Sequence, residues 1–155
     1  HVTGLAHDER GFPTQDTDVA GALITRLHSK VDDHLDEVVQ VETFMLEDAD
    51  VAIFAYGIVG RSAHEAVLQA RASGIKVGLI RPLTLWPFPS AQVAEVAGQV
   101  DTLIVAEMNL GQIIGEVERA AEGCTDIVAH LRADGQPITP SELLAVITAS
   151  QGGRP

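Results

Sequence analysis

The chain has one cysteine, Cys124, in 155 residues. A lone thiol excludes an internal disulfide and any cysteine-based zinc or iron–sulfur site, and Cys124 reads as a small, partly buried thiol near a helix end. Basic residues are scarce as well: 10 Lys and Arg stand against 22 Asp and Glu, a formal net charge of −12. Without a basic stripe to neutralise phosphates, nucleic acid is not an expected partner. No apolar run approaches the roughly 20 residues that span a bilayer, and no signal-peptide pattern opens the chain. The expectation is a soluble, cytoplasmic protein with no membrane partner. The reactive motifs are missing too: no HExxH, no Gly-x-Ser-x-Gly elbow and no Gly-Lys-Ser/Thr phosphate loop.

What is present is a globular balance, 46% apolar and 21% charged, enough for one domain around one core. The charge is uneven. Residues 1–50 hold 12 Asp/Glu against 3 Lys/Arg, and residues 51–155 hold 10 against 7. Such an acidic face either keeps a domain solvated or attracts a basic partner. The start at His1 on a polar lead suggests a piece of something larger.

Residues 1–16, with Gly4, Gly11 and Pro13, read as an extended linker. From about Asp18, Val19, Leu23, Ile24, Leu27, Val31, Leu35 and Val38 recur at helical steps, which predicts one amphipathic helix or two end to end. Alternation over Val41–Leu46 predicts an edge strand, and Asp48-Ala49-Asp50 a turn. Apolar strands follow at Val51–Tyr56, Lys76–Ile80, Thr102–Ala106 and Asp126–Leu131. Helices are predicted between them: Ser62–Ser73 opened by a capping box at Ser62–Glu65, Ser90–Ala97 capped by Ser90, and about Gly111–Ala121. A last helix opens on Thr139-Pro140-Ser141-Glu142, with proline at the first helical position and glutamate completing the box. The tail Gln151–Pro155 should be loose. Continuous apolar strands alternating with helices imply an α/β domain over residues 17–150, with a mostly parallel sheet, helices on both faces and Val41–Leu46 antiparallel at its edge.

Ligands of open α/β sheets bind outside the carboxyl ends of the strands, which directs attention to four places. Gly57-Ile58-Val59-Gly60-Arg61-Ser62 follows a strand and opens a helix, where phosphates meet free amides. It lacks the spacing of a dinucleotide fingerprint, so it reads either as a tight strand–helix turn or as an anion site served by Arg61. Glu107 and Asn109 end the next strand. Glu107 could move protons or orient a cofactor ring, or it could bond loop amides, with Asn109 capping the helix beyond. Arg81 ends a strand, held extended by Pro82, and Trp86, the only tryptophan, reads as an interface anchor in its cluster of prolines. His7 with Asp8 and Glu9 could meet a metal or simply face water. No nucleophile–base pair emerges, so no catalytic residue is assigned.

Several stretches together resemble the C-terminal domain of the α subunit of 2-oxoacid:ferredoxin oxidoreductases, the 2-oxoglutarate type most closely. They are Val2-Thr3-Gly4-Leu5 with His7-Asp8-Glu9 and Gly11; Glu47-Asp48-Ala49-Asp50 leading into Ala55-Tyr56-Gly57; Arg61-Ser62-Ala63; Arg81–Pro89; Glu107-Met108-Asn109-Leu110-Gly111-Gln112; and Thr139-Pro140-Ser141-Glu142. Ala6 stands where such chains often carry glutamate, and Ile58-Val59 replaces a commoner hydroxyl-bearing turn. The resemblance implies a transketolase C-terminal-like sandwich of three layers, α/β/α, with a mixed five-stranded sheet. It adds Gly111 and Gln112 to the ligand or interface candidates Gly57, Gly60, Arg61, Ser62, Arg81, Trp86, Glu107 and Asn109.

The same resemblance implies a holoenzyme that uses thiamine diphosphate with Mg, iron–sulfur clusters and coenzyme A to convert a 2-oxoacid to an acyl-CoA, with ferredoxin as electron acceptor. The chain, lacking a Gly-Asp-Gly motif, would bind none of these cofactors alone. It would pack against its own N-terminal domain and a β subunit, or form a homodimer through a cut interface around Trp86. Two other readings stay open: the equivalent domain of another thiamine enzyme, such as a transketolase or a dehydrogenase E1 β chain, and a stand-alone anion-binding module.

Overall fold

The computed structural model describes residues 6–151. The chain divides into two compact units, residues 1–38 and 39–155. The division falls at the end of the first helical stretch.

In the first unit residues 6–16 are not simply extended. His7 and Pro13 pair in an antiparallel bridge around a turn at Gly11, whose φ of +84° suits glycine. The Asp8 carboxylate accepts the amides of Arg10 at 2.9 Å and Phe12 at 3.0 Å and pairs with the Arg10 guanidinium at 2.9 Å. The Phe12 amide first, and then Arg10, hold its carboxyl below the ordinary value. Helix α1 (Thr17–Asp32) begins one residue before the expected Asp18 because Asp16 caps it, accepting from the amides of Asp18 and Val19. A one-turn helix, α2 (Leu35–Val38), follows, so the stretch is two helices end to end. None of the α1 residues is buried.

The second unit runs β1 (Val41–Phe44), β2 (Val51–Ala55), α3 (Gly57–Ala72), β3 (Val77–Pro82), α4 (Ser90–Ala97), β4 (Thr102–Glu107), α5 (Ile114–Ala121), β5 (Asp126–Leu131) and α6 (Pro140–Ser150). The sheet order is β1-β3-β2-β4-β5. Only β1 is antiparallel, pairing Val41 with Pro82 and Phe44 with Leu79; the other pairs are parallel. β2 and β4 are buried on both faces throughout, which is why they read as unbroken apolar runs. Ile53 and Ile104 face a cluster with Val67 of α3 and Leu143 and Ile147 of α6. Phe54 and Leu103 face the opposite cluster with Val93 of α4 and Val117 of α5. This is the expected α/β/α sandwich with a mixed five-stranded sheet.

The element bounds differ in instructive ways. β1 stops at Phe44 rather than Leu46, because Met45 turns the chain out with φ of 52°. β3 starts one residue later than Lys76–Ile80 and continues to Pro82, where β1 pairs along it. α3 starts at Gly57, five residues before the expected Ser62. Its N-cap is Tyr56, with no side-chain capping bond, and Gly57, at φ +55°, lets the chain pass straight from strand to helix. Ser62 therefore lies inside the helix and caps nothing. At α4 the cap position belongs to Pro89, again without a side-chain bond, and Ser90 is the first helical residue. β4 reaches Glu107, and α5 begins at Ile114 rather than Gly111. The α6 capping box of Thr139 and Glu142 forms as read. The tail expected to be loose lies, after Gln151, outside the described residues.

Candidate functional site at the carboxyl edge of the sheet

The chain moves from β2 outward to β3, then crosses back over β2 to β4. The strand order therefore reverses between β2 and β4, and the crevice outside their carboxyl ends is the topological switch point where ligands of such sheets bind. Tyr56, directly after β2, and Glu107, the last residue of β4, stand on its two sides. They meet there.

Glu107 is fully buried, 0% exposed. Its Oε2 accepts the Tyr56 hydroxyl at 2.9 Å and the Asn109 amide nitrogen at 2.9 Å. The backbone N–H groups of Ile113 and Ile114 also donate to the carboxylate, at 3.1 Å each. These are the orphan amides at the start of α5, whose N-cap residue Ile113 makes no side-chain cap of its own. A carboxylate there satisfies them and complements the positive end of the helix. Asn109 donates to the Tyr56 hydroxyl at 2.9 Å, and its Oδ1 accepts the amides of Gly111 at 2.7 Å and Gln112 at 2.9 Å. Asn109 thus closes the loop turn, while Glu107 anchors the helix beyond it. Burial first, and then Glu107, push the Tyr56 hydroxyl up to about 12.

Every group around Glu107 is a donor, and each of those donors is already used. The arrangement fixes the loop from Asn109 to Ile114 to the end of β2 and engages the Glu107 carboxylate with internal donors. Of the sequence candidates, Glu107, Asn109, Gly111 and Gln112 come together here. Tyr56 was not among them. A strand-end aromatic opposite a strand-end glutamate is a usable signal only once β2 and β4 are known to be neighbours.

Gly57, Gly60, Arg61 and Ser62 lie in the first turns of α3 rather than in a free loop. Arg61 is exposed and has no ion-pair partner among the described residues. Arg81, near the end of β3, pairs its Nη1 with Glu42 of β1 at 2.9 Å and passes over Gly60, where an added Cβ would stand 2.8 Å from Nε. Gly60, Arg61 and Arg81 thus form a second grouping. Trp86 lies in the β3–α4 loop, 75% exposed.

The same edge is lined with exposed apolar side chains. Ile58 after β2 is 56% exposed, Leu83 after β3 is 52% and Leu110 after β4 is 86%. Because β2, β3 and β4 are parallel, these residues and Trp86 follow strand ends that all point one way.

The donor set does not suit a metal or a cluster. Among the described residues no three His, Cys, Asp or Glu side chains gather as a metal site. Cys124 is exposed, not partly buried as expected, because Glu122 and Gly123 turn the chain outward after α5 with positive φ. No helix among the described residues is long and apolar enough to cross a membrane.

Residues 49–143 match the family model described as pyruvate:ferredoxin oxidoreductase core domain II. The chain is 39% identical over 144 residues to 2-oxoglutarate synthase subunit KorA of Methanothermobacter marburgensis, covering 92% of this chain and 38% of that protein. It is 43% identical over 114 residues to ketoisovalerate oxidoreductase subunit VorB of the same organism, covering 74% of this chain and 32% of that one. Among solved structures it matches 2-oxoglutarate:ferredoxin oxidoreductase from Magnetococcus marinus, solved with 2-oxoglutarate, coenzyme A and succinyl-CoA bound, with a TM-score of 0.78 at 27% identity, over 96% of this chain and 26% of that one. The sandwich is also the transketolase type of fold that the sequence resemblance implied. The chain spans well under half the length of the relatives it matches, and it belongs to the pyruvate:ferredoxin oxidoreductase core domain II family.

Proposed function

We propose that this chain is the domain II portion of the α subunit of a 2-oxoacid:ferredoxin oxidoreductase, and that it organises the assembly rather than carrying the chemistry. The observation that carries the reading is the set of exposed apolar side chains Ile58, Leu83, Trp86 and Leu110 that follow the carboxyl ends of β2, β3 and β4, beside a switch-point crevice bridged by the chain's own Tyr56–Glu107–Asn109 network. Large exposed apolar groups gathered on one edge mark a protein interface. The occupants are the N-terminal domain of the same subunit and a β subunit, and the assembly is cytoplasmic. Thiamine diphosphate with Mg, the iron–sulfur clusters and coenzyme A belong to those other parts, and ferredoxin takes the electrons from the holoenzyme. The substrate is a 2-oxoacid. The 39% identity over 92% of the chain favours 2-oxoglutarate, with the branched ketoisovalerate as the competitor, since the VorB relative is as similar over a shorter stretch.

The test is affinity capture of the full-length subunit from native extract, followed by an assay of 2-oxoacid- and coenzyme-A-dependent reduction of a low-potential dye. The expected result is a co-purifying β subunit, with activity on 2-oxoglutarate above ketoisovalerate. Trp86→Asp and Leu110→Asp should each lower the recovered β subunit. Capture of a lone, inactive chain, or unchanged recovery with both variants, overturns the reading.

A further inference from the structure

The charge of this acidic chain reverses locally. Residues 51–100 hold four Lys/Arg and two Asp/Glu, and two of the four, Arg61 and Arg81, line one cavity. It has a volume of about 440 Å³ and opens between edge strand β1 and the first turns of α3, walled by Glu42, Phe44, Gly60, Arg61, His64 and Arg81. A space of that size takes a small metabolite.

Its side chains are under-used by the fold. Arg61 has no ion-pair partner among the described residues. The Arg81 side chain makes one hydrogen bond among the described residues, from Nη1 to Glu42 at 2.9 Å, and its Nε is buried without a partner. A buried, unmatched guanidinium nitrogen costs stability. A purely structural arginine closes its fork on a carboxylate or carbonyl, as Arg132 does with Glu142 and the carbonyl of Pro137. Gly60 supplies the room that keeps Arg81 in place, since a Cβ there would stand 2.8 Å from Nε and 3.0 Å from Cδ. His64, three residues after Arg61 on the same helix face, stacks flat on Phe44 with ring centroids 4.3 Å apart. Its ring nitrogens make no hydrogen bond among the described residues.

We propose that this cavity binds the phosphate group of a small phosphorylated molecule. Two guanidinium groups and an imidazole approach from α3 and β3, with more donors than the two oxygens of a carboxylate can use. A tetrahedral oxyanion with three or more oxygens matches them better. Glu42 opposes an anion, but it is half-exposed and its pair with Arg81 is a surface pair of small worth, so a doubly charged phosphate displaces it. The flat Phe44–His64 wall and the volume left over accommodate the remainder of the molecule. This inference does not depend on the oxidoreductase reading.

The test titrates inorganic phosphate into the full-length chain at constant ionic strength, followed by calorimetry and by the phosphorus resonance, with succinate as the carboxylate probe. Arg61→Gln and Arg81→Gln are compared with Arg119→Gln, a surface arginine paired with Glu116. Saturable phosphate binding is expected, weakened about tenfold or more by each cavity variant and unchanged in the Arg119 variant, with succinate failing to compete. Arg61 is exposed, so its variant folds, and circular dichroism checks that it does. Absence of saturable binding, unaltered affinity in Arg61→Gln, or succinate binding as tightly as phosphate overturns the proposal. Loss of the β subunit from the Trp86 or Leu110 variants leaves it standing.

Discussion

The Tyr56 hydroxyl donates to the Glu107 carboxylate at 2.9 Å, joining the carboxyl ends of β2 and β4 from positions 51 residues apart in the chain. This bond and the Asn109 bridge lie at the crevice between β2 and β4, the place where ligands of this fold class bind.

Glu107→Ala should lower the unfolding free energy by about 3 kcal/mol, because it strands two helix amides, a hydroxyl and a side-chain amide in a buried place. Glu107→Gln keeps one acceptor oxygen but turns an NH₂ toward those same donors, so it should lose about half as much. Urea denaturation measures both. A loss under 1 kcal/mol for the alanine variant would show that the network does not hold the loop.

Tyr56→Phe removes a hydroxyl that both donates and accepts, and should cost about 1 kcal/mol at neutral pH. It also changes the alkaline limb. The Tyr56 hydroxyl is pushed from 10.0 up to about 12 by burial and then by Glu107, so the folded state holds its proton where the unfolded chain has released it. That contribution is fully present below pH 10 and is lost as pH rises toward 12. The phenylalanine variant should lose less stability over that interval, which denaturation at stepped pH reads directly.

Glu142 acts at the other end of the pH scale. The Thr139 backbone amide first, then the Thr139 hydroxyl and Arg132, bring its carboxyl from 4.5 to about 2. A depressed carboxyl stabilises the fold above its unfolded value and loses that contribution as pH falls from about 4.5 to about 2. Glu142→Gln should flatten the acid limb in that window while lowering stability at neutral pH through the weakened capping box. An acid limb identical to that of the parent chain would be the contrary result.

Gly78→Ala tests the packing of the β1–β2 connection on β3. A Cβ at Gly78 would stand 2.5 Å from Leu46 Cδ2 and 2.6 Å from the Met45 carbonyl oxygen. The carbonyl belongs to the backbone and yields only if β1 shifts, so the expected loss is about 2 kcal/mol, in the range of overpacked cores. Gly60→Ala meets only the flexible stem of Arg81. It should cost less stability while breaking the Arg81–Glu42 pair, which a melting series of the two variants distinguishes.

Local pattern made much of the sandwich legible. Val51–Ala55 and Thr102–Glu107 are buried on both faces, and the continuous apolar runs Val51–Ala55 and Leu103–Ala106 announce a parallel sheet. Thr139-Pro140-Ser141-Glu142 announced a helix start because its capping partners lie within three residues. The same logic misled at Ser62-Ala63-His64-Glu65, where the box letters are right but Gly57 has already carried the chain into the helix. Glycine at a strand end removes the need for a side-chain cap, and a capping pattern cannot reveal that.

By itself, then, the sequence determined the order of the elements, the layered α/β class, the antiparallel edge and the scarcity of cysteine, because each depends on spacing along the chain or on composition. Tertiary structure alone decided that β4 lies beside β2, that Tyr56 therefore closes on Glu107, and that Arg61, His64 and Arg81 face one cavity. Those relations depend on strand order and on the crossing of α3 over the sheet. Such contacts join residues far apart in the chain, and no local periodicity encodes which of them will meet.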